Sequence, residues 1–237
     1  MKSSLLIIIA LVFTSQIYAQ ENNDDKKYFL GVSYGKSFPL GDFKSTDANG
    51  DNSGFAKTGN KFDLFGGYYL DKSYGINALV RYQTYGTNAT SLGDELHSLT
   101  PNINYAVEST DWKFTSVLVG GFYNVPVSKK MSLHPKAMIG FMFGYSPEIA
   151  VSATDGSTTG NLSTESANAA GFAFEIGLGL ESKLGKHFAL MPTFDFSGGF
   201  PSFSNVKTTY ASGGSVTRTY NPAILTFNLG LAIAYRF

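Results

Sequence analysis

The chain carries three histidines and no cysteine, so nucleophilic and metal chemistry have few places to reside. His97 is followed by Ser98 and preceded by Asp94, the residue types of a base, a nucleophile and an orienting acid. Such groups act only where their side chains meet at about 3 Å, and neighbours in sequence rarely converge that closely. His134 falls on the polar side of an alternating segment and His187 in a short turn. A lipid-modifying enzyme would be sought at His97, Ser98 and Asp94; the chain as a whole reads as non-catalytic, with no cofactor. Asp47-Ala48-Asn49-Gly50-Asp51 opens like a calcium loop, yet Asn52 stands at the sixth position, where Gly is needed, and Thr58 at the closing position, where Glu is needed. It reads as a solvated hairpin loop.

A different chemistry is written in charges spaced through apolar stretches. Asp63, Arg81, Lys113, Lys136, Glu175 and Asp195 each sit on the small or polar side of an alternating segment, in equal numbers of either sign. Facing one enclosed interior, they would form an ion-pair network. A turn over residues 71–73, symmetric about Lys72, sets Asp63 directly opposite Arg81, where a salt bridge is expected. A matching turn over 184–186 sets Glu175 opposite Asp195. That like-charge pair requires Lys136 to reach across or one carboxyl to be protonated.

The elements that must hold these groups are strands of two-residue period. Tyr28, Leu30, Val32 and Tyr34 alternate with Phe29, Gly31, Ser33 and Gly35; Phe62, Leu64, Tyr68 and Leu70 alternate with Lys61, Asp63 and Gly67. Ile76, Ala78, Val80 and Tyr82 oppose Asn77, Arg81 and Gln83. Trp112, Phe114, Leu118 and Phe122 oppose Lys113, Thr115 and Gly121, which assigns the four large residues to the lipid face. The pattern recurs at 136–145, 172–180, 188–197 and, most regularly, 225–237. An even number of segments, each about 9 to 11 residues long, is what a bacterial barrel requires. The reading is all-β: an eight-stranded antiparallel up-and-down transmembrane β-barrel.

Connection lengths support it. Residues 71–73, 124–130 and 185–186 are short, whereas 39–60, 86–111, 146–168 and 198–222 are long and polar. Short periplasmic turns and long external loops are the habit of outer-membrane barrels, so both termini are expected in the periplasm and the loops 146–168 and 198–222 read as mobile external surface. Aromatic residues fall at strand ends, as in the two interfacial girdles: Tyr28, Tyr68, Tyr74, Phe122, Phe188, Tyr235 and Phe237 at one, Tyr34, Phe62, Tyr82, Trp112, Tyr145, Phe196 and Phe227 at the other.

Residues 1–19, with Lys2, an apolar core over 5–13 and Ile17-Tyr18-Ala19, read as a signal peptide of a Gram-negative bacterium, leaving residues 20–237 as the barrel domain. No later apolar run reaches the length of a spanning helix. Without cysteine there is no lipoprotein anchor and no disulfide framework. A formal net charge of zero speaks against nucleic acid as a partner. A secreted β-sandwich would share the 26 Gly, 20 Phe and 14 Tyr of the composition, and the loop rhythm separates the two.

The stretches Phe38-Pro39-Leu40-Gly41-Asp42-Phe43, Gly66-Gly67-Tyr68-Tyr69, Pro135-Lys136-Ala137-Met138-Ile139-Gly140 and Ala234-Tyr235-Arg236-Phe237 resemble those of the small outer-membrane β-barrel domain family, PorT-like and abundant in the Bacteroidetes, with an OmpA/OmpX-like architecture. The resemblance covers nearly all of residues 20–237. It implies the fold, the outer membrane and its lipid, and recognition by the barrel-assembly machinery through the last strand ending in Phe237; it carries no activity and no site residues. Eight strands enclose an interior that side chains can fill. The favoured role is therefore a non-catalytic barrel with a structural or partner-binding task at its external loops. A small-solute porin and a lipid-modifying enzyme are the alternatives.

Overall fold

The computed structural model describes residues 26–47, 50 and 52–237; the expected signal peptide and part of the calcium-like stretch lie outside them. In chain order the elements are β1 (Tyr28–Leu40), α1 (Gly41–Lys44), β2 (Gly59–Tyr69), β3 (Tyr74–Tyr85), α2 (Ala89–Leu99), β4 (Asn104–Ser109), β5 (Trp112–Tyr123), β6 (Val125–Pro126) and β7 (Met131–Tyr145). There follow β8 (Ile149–Thr154), β9 (Thr159–Thr164), β10 (Asn168–Leu184), β11 (Phe188–Tyr210), β12 (Ser215–Tyr220) and β13 (Ile224–Arg236).

Eight of these close a ring. The order is β1, β2, β3, β5, β7, β10, β11, β13, with β13 pairing back to β1 and every pair antiparallel. Closure satisfies each strand's backbone groups and leaves no edge in the spanning region, which is what allows strands to stand in lipid. The outer surface is apolar: Leu30, Val32, Leu64, Ile76, Val80, Ile139, Phe141, Ile176 and Leu231 are exposed on it. The start of β1, the end of β13 and the short turns lie at one end, the terminal end; the long connections lie at the other, the loop end.

Seven of the ring strands show the faces expected from their sequence, and β5 shows the reverse. Trp112, Phe114, Leu118 and Phe122 are 4%, 1%, 2% and 4% exposed and point inward; Lys113, Val117 and Val119 point out. The rule that apolar side chains face lipid fails here because this part of the lumen is itself apolar. Lys113 lies in register with Tyr145, which stands on the outer surface. The girdles change accordingly. Trp112 and Phe122 leave them, and Tyr123, 63% exposed, joins the terminal-end belt, where rings run from Tyr74–Tyr123 to Tyr68–Tyr28–Phe237–Tyr235–Phe188.

The long connections are built, not loose. α2 and β4 occupy 86–111, β8 and β9 form a hairpin in 146–168, and β11 runs on to Tyr210 with β12 folded back along it. β4, β8, β9, the far end of β11 and β12 form one sheet beyond the ring. The β8–β9 turn is fastened by Asp155, whose carboxylate accepts from Thr158 N (2.8 Å) and Ser157 N (2.9 Å); those bonds hold it below the usual Asp range. Gly156 supplies the positive φ of 92° that the turn needs.

Because the chain has no cysteine, single cysteines read the faces directly. Val117→Cys is expected to react with a lipid-soluble maleimide in vesicles and Leu118→Cys to be protected. The opposite pattern would return β5 to the orientation read from its large apolar residues.

Candidate functional site

The lumen is filled in layers. At mid-height, charged side chains from five strands meet: Lys61 and Asp63 on β2, Arg81 on β3, Lys136 on β7, Glu175 on β10 and Asp195 on β11. Asp63 and Arg81 stand directly opposite one another. The Arg81 Nε–Asp63 Oδ1 and Nη2–Asp63 Oδ2 distances are 2.7 and 3.1 Å, a two-point contact of fixed direction. Arg81 Nη1 bonds Glu175. Lys136 Nζ lies 2.7 Å from Glu175 Oε1 and 3.1 Å from Asp195 Oδ1, and Lys61 Nζ lies 3.0 Å from Asp195 Oδ2 and 2.8 Å from Asp63 Oδ2. The contacts close on themselves with alternating sign: Asp63, Arg81, Glu175, Lys136, Asp195, Lys61.

Lys113 has no place in this ring, being exposed on the outer surface. Lys61 occupies the position expected of it. Its signal was in the sequence, two residues before Asp63 and hence on the same face of β2.

The expected pairing of Glu175 with Asp195 is also corrected. The β10–β11 turn lies one residue later, over 185–187, with Gly185 at φ 73°. Glu175 therefore pairs with Ser197, and Asp195 with Gly177. Gly177 is also the register partner of Lys136, so the lysine crosses above it to reach Asp195. A Cβ on Gly177 would stand 2.6 Å from Lys136 Cε, and the absence of a side chain there is what opens the path.

Toward the loop end lies a neutral polar layer absent from the sequence expectations. Ser37 Oγ donates to Asn228 Oδ1 (2.5 Å), and Gln83 Nε2 to Tyr85 Oη (2.7 Å) and Ser37 Oγ (3.0 Å). Asn228 Nδ2 donates to Ser197 Oγ (2.9 Å). Each is an uncharged residue at an inward strand position, a pattern indistinguishable in sequence from a wet pore wall.

Above this layer the connection between β1 and β2 folds into the mouth. Phe43 of α1 is fully buried, edge-on to Tyr85, Trp112 and Phe114 at centroid distances of 5.0, 5.6 and 5.8 Å. Trp112 Nε1 donates to Gly54 O (3.0 Å) and Tyr220 Oη to Asn52 O (2.8 Å). Burial, with Asp42 nearby, raises the Tyr220 phenol well above the usual tyrosine value and keeps it a donor. Phe55 holds φ at 49°, a strained conformation for a bulky residue that costs about 1–3 kcal/mol and is retained by the packing of this plug.

Below the ring, Phe29, Phe65, Tyr69, Phe122 and Met191 fill the terminal half. His134 stacks on Phe122 and lies 3.6 Å from Glu181, which also meets Arg236 at 3.4 Å. A cavity of about 40 Å³ remains, faced by Ser33 Oγ and Asn77 Oδ1, with room for about one or two waters.

The His97 group does not assemble. His97 Nδ1 lies 2.7 Å from Ile103 O, and Ser98 Oγ donates to Glu95 O at 2.7 Å, so both are spent on the backbone of α2 and its exit. Among the described residues no cluster of acids and histidines is arranged to hold a metal.

The chain belongs to the outer membrane protein β-barrel domain family, whose model matches residues 6–237. It is an outer-membrane β-barrel of eight strands. Solved structures similar to it include Ail, the attachment invasion locus protein of Yersinia pestis, at 13% identity and a TM-score of 0.47, covering 90% of this chain and 99% of that one. OprG of Pseudomonas aeruginosa is 11% identical with a TM-score of 0.48 over 91% of this chain and 98% of its own. Neisserial surface protein A is 12% identical with a TM-score of 0.45 over 89% and 97%. No curated protein sequence matches the chain.

Removing one member of the ring strands a buried charge. Arg81→Met is expected to lower unfolding stability by about 3–5 kcal/mol, whereas Lys113→Gln should change it by less than about 0.5 kcal/mol. Urea titration of the lipid-embedded barrel measures both. Gly177→Val should act like Arg81→Met, by driving Lys136 away from Asp195.

Proposed function

We propose that this protein is a closed, non-catalytic barrel that anchors an ordered external platform in the outer membrane, with a structural or partner-binding role exerted through that platform. The observation that carries the reading is the continuity of the lumenal filling: aromatic plug, neutral polar layer, ion ring and terminal packing follow one another along the axis. In this reading the ion ring of Asp63, Arg81, Lys136, Glu175, Asp195 and Lys61 is a brace and a seal. The sheet of β4, β8, β9, β11 and β12 is the working surface, offered to a protein partner.

The orientation follows the habit of barrels with short turns on the periplasmic side, which sets both termini in the periplasm and the platform outside. Residues 1–19 act as the export signal, and the last strand, ending in Phe237, is the segment offered to the barrel-assembly machinery.

The competing porin reading is separated by conductance. The folded protein in a planar bilayer is expected to leave the current at the level of the bare membrane, and defined conductance steps would overturn the closed-barrel reading. Electrophoresis with and without boiling must show a heat-modifiable shift in the same preparation, so that silence reports a folded barrel.

A further inference from the structure

The two ends of the barrel differ in charge. At the terminal end Lys27, Lys72, Lys129 and Lys186 are all exposed, and among the described residues Asp71 is the exposed acidic side chain there. At the loop end the exposed charges are mixed, Asp42, Asp94, Glu108, Asp111, Glu148 and Asp155 standing among Lys44, Lys57, Lys113, Lys207 and Arg218. The four lysines come from four different segments: the entry to β1, the β2–β3 turn, the β5–β7 connection and the β10–β11 turn. In the ring order β1, β2, β3, β5, β7, β10, β11, β13, that spacing places them around the whole circumference.

We infer that these lysines form a collar that binds the phosphate groups of anionic phospholipids in the leaflet adjoining the terminal end. Depth supports it. Lys27 precedes Tyr28, while Lys72 and Lys186 stand two residues before Tyr74 and Phe188, rings of the exposed belt. Belt aromatics sit at the lipid–water boundary, and a lysine stem beside them carries its ammonium to headgroup depth. Over a screening length of about 8 Å at physiological salt, an ammonium at that depth attracts a headgroup phosphate directly. Circumferential spacing selects lipid over protein: an annulus of lipid meets every side of the barrel, whereas a docked protein meets one. In the orientation proposed above the leaflet is the periplasmic one, but lipid selection itself requires neither that orientation nor a closed lumen.

The test uses the whole barrel reconstituted in phosphatidylcholine vesicles containing phosphatidylglycerol, extracted into mild detergent and weighed by native mass spectrometry. Wild type is expected to retain phosphatidylglycerol in preference to phosphatidylcholine. The variant Lys27→Gln/Lys72→Gln/Lys129→Gln/Lys186→Gln should lose that preference by at least about fivefold, the effect of even one lysine at an anionic surface. The corresponding Lys→Arg variant should keep it, as should a loop-end control, Lys44→Gln/Lys57→Gln/Lys113→Gln/Lys207→Gln. Raising salt during extraction of the wild type should abolish the preference without any substitution. Equal retention of the two lipids by wild type, equal loss in the loop-end control, or displacement by inorganic phosphate at matched concentration would overturn the assignment to lipid.

Discussion

Six ionised groups inside a protein wall must find partners among themselves, and this requirement organises the barrel. Desolvating a carboxylate or an ammonium costs several kcal/mol even after relaxation, so an unmatched one destabilises the fold strongly. Here the sequence of contacts closes on itself, each cation between carboxylates and each carboxylate between cations. The closure draws on β2, β3, β7, β10 and β11, strands that are not all neighbours in the wall. It thereby fixes the relative heights of strands on opposite sides of the lumen, which backbone pairing between adjacent strands alone sets only step by step.

The remaining layers follow from the space the ring leaves. Long side chains that reach across a narrow interior need small residues on the facing wall: Lys136 passes over Gly177, and the Phe122 ring lies against Gly75. Above the ring the hydroxyl and amide groups of Ser37, Gln83, Ser197 and Asn228 satisfy one another. Their hydrogen bonds form a transition between the charges and the aromatic plug. The plug needs an apolar wall, and the inward turn of Trp112, Phe114 and Leu118 supplies it. The reversed face of β5 and the insertion of Phe43 are thus one packing event seen from two sides.

Beyond the membrane the same economy of pairing holds. Long connections with unpaired backbone would be loose; here β8 pairs with β4 and β9, β9 and β12 both pair with β11, and α2 packs on β4. A rigid barrel with a filled lumen is a suitable base for such a sheet, because the paired charges inside it brace the strands that carry the sheet. The proposed role as a platform rests on that combination.

The sequence by itself determined the strand number, the loop rhythm, seven of the eight strand faces and the Asp63–Arg81 pairing, because a two-residue period and a short symmetric turn are local rules. It misplaced Lys113 and the faces of β5, since apolarity marks a buried side chain without saying whether lipid or an aromatic plug buries it. Val117 and Val119 carried the correct phase, yet the larger Trp112, Phe114 and Phe122 outweighed them. The one-residue displacement of the β10–β11 turn lay beyond sequence reasoning because Gly185, which sets it, is compatible with either registry. Only the tertiary structure decided which charges meet. Ion pairing across a lumen depends on strand stagger and on clearances such as that over Gly177, quantities that no single segment contains.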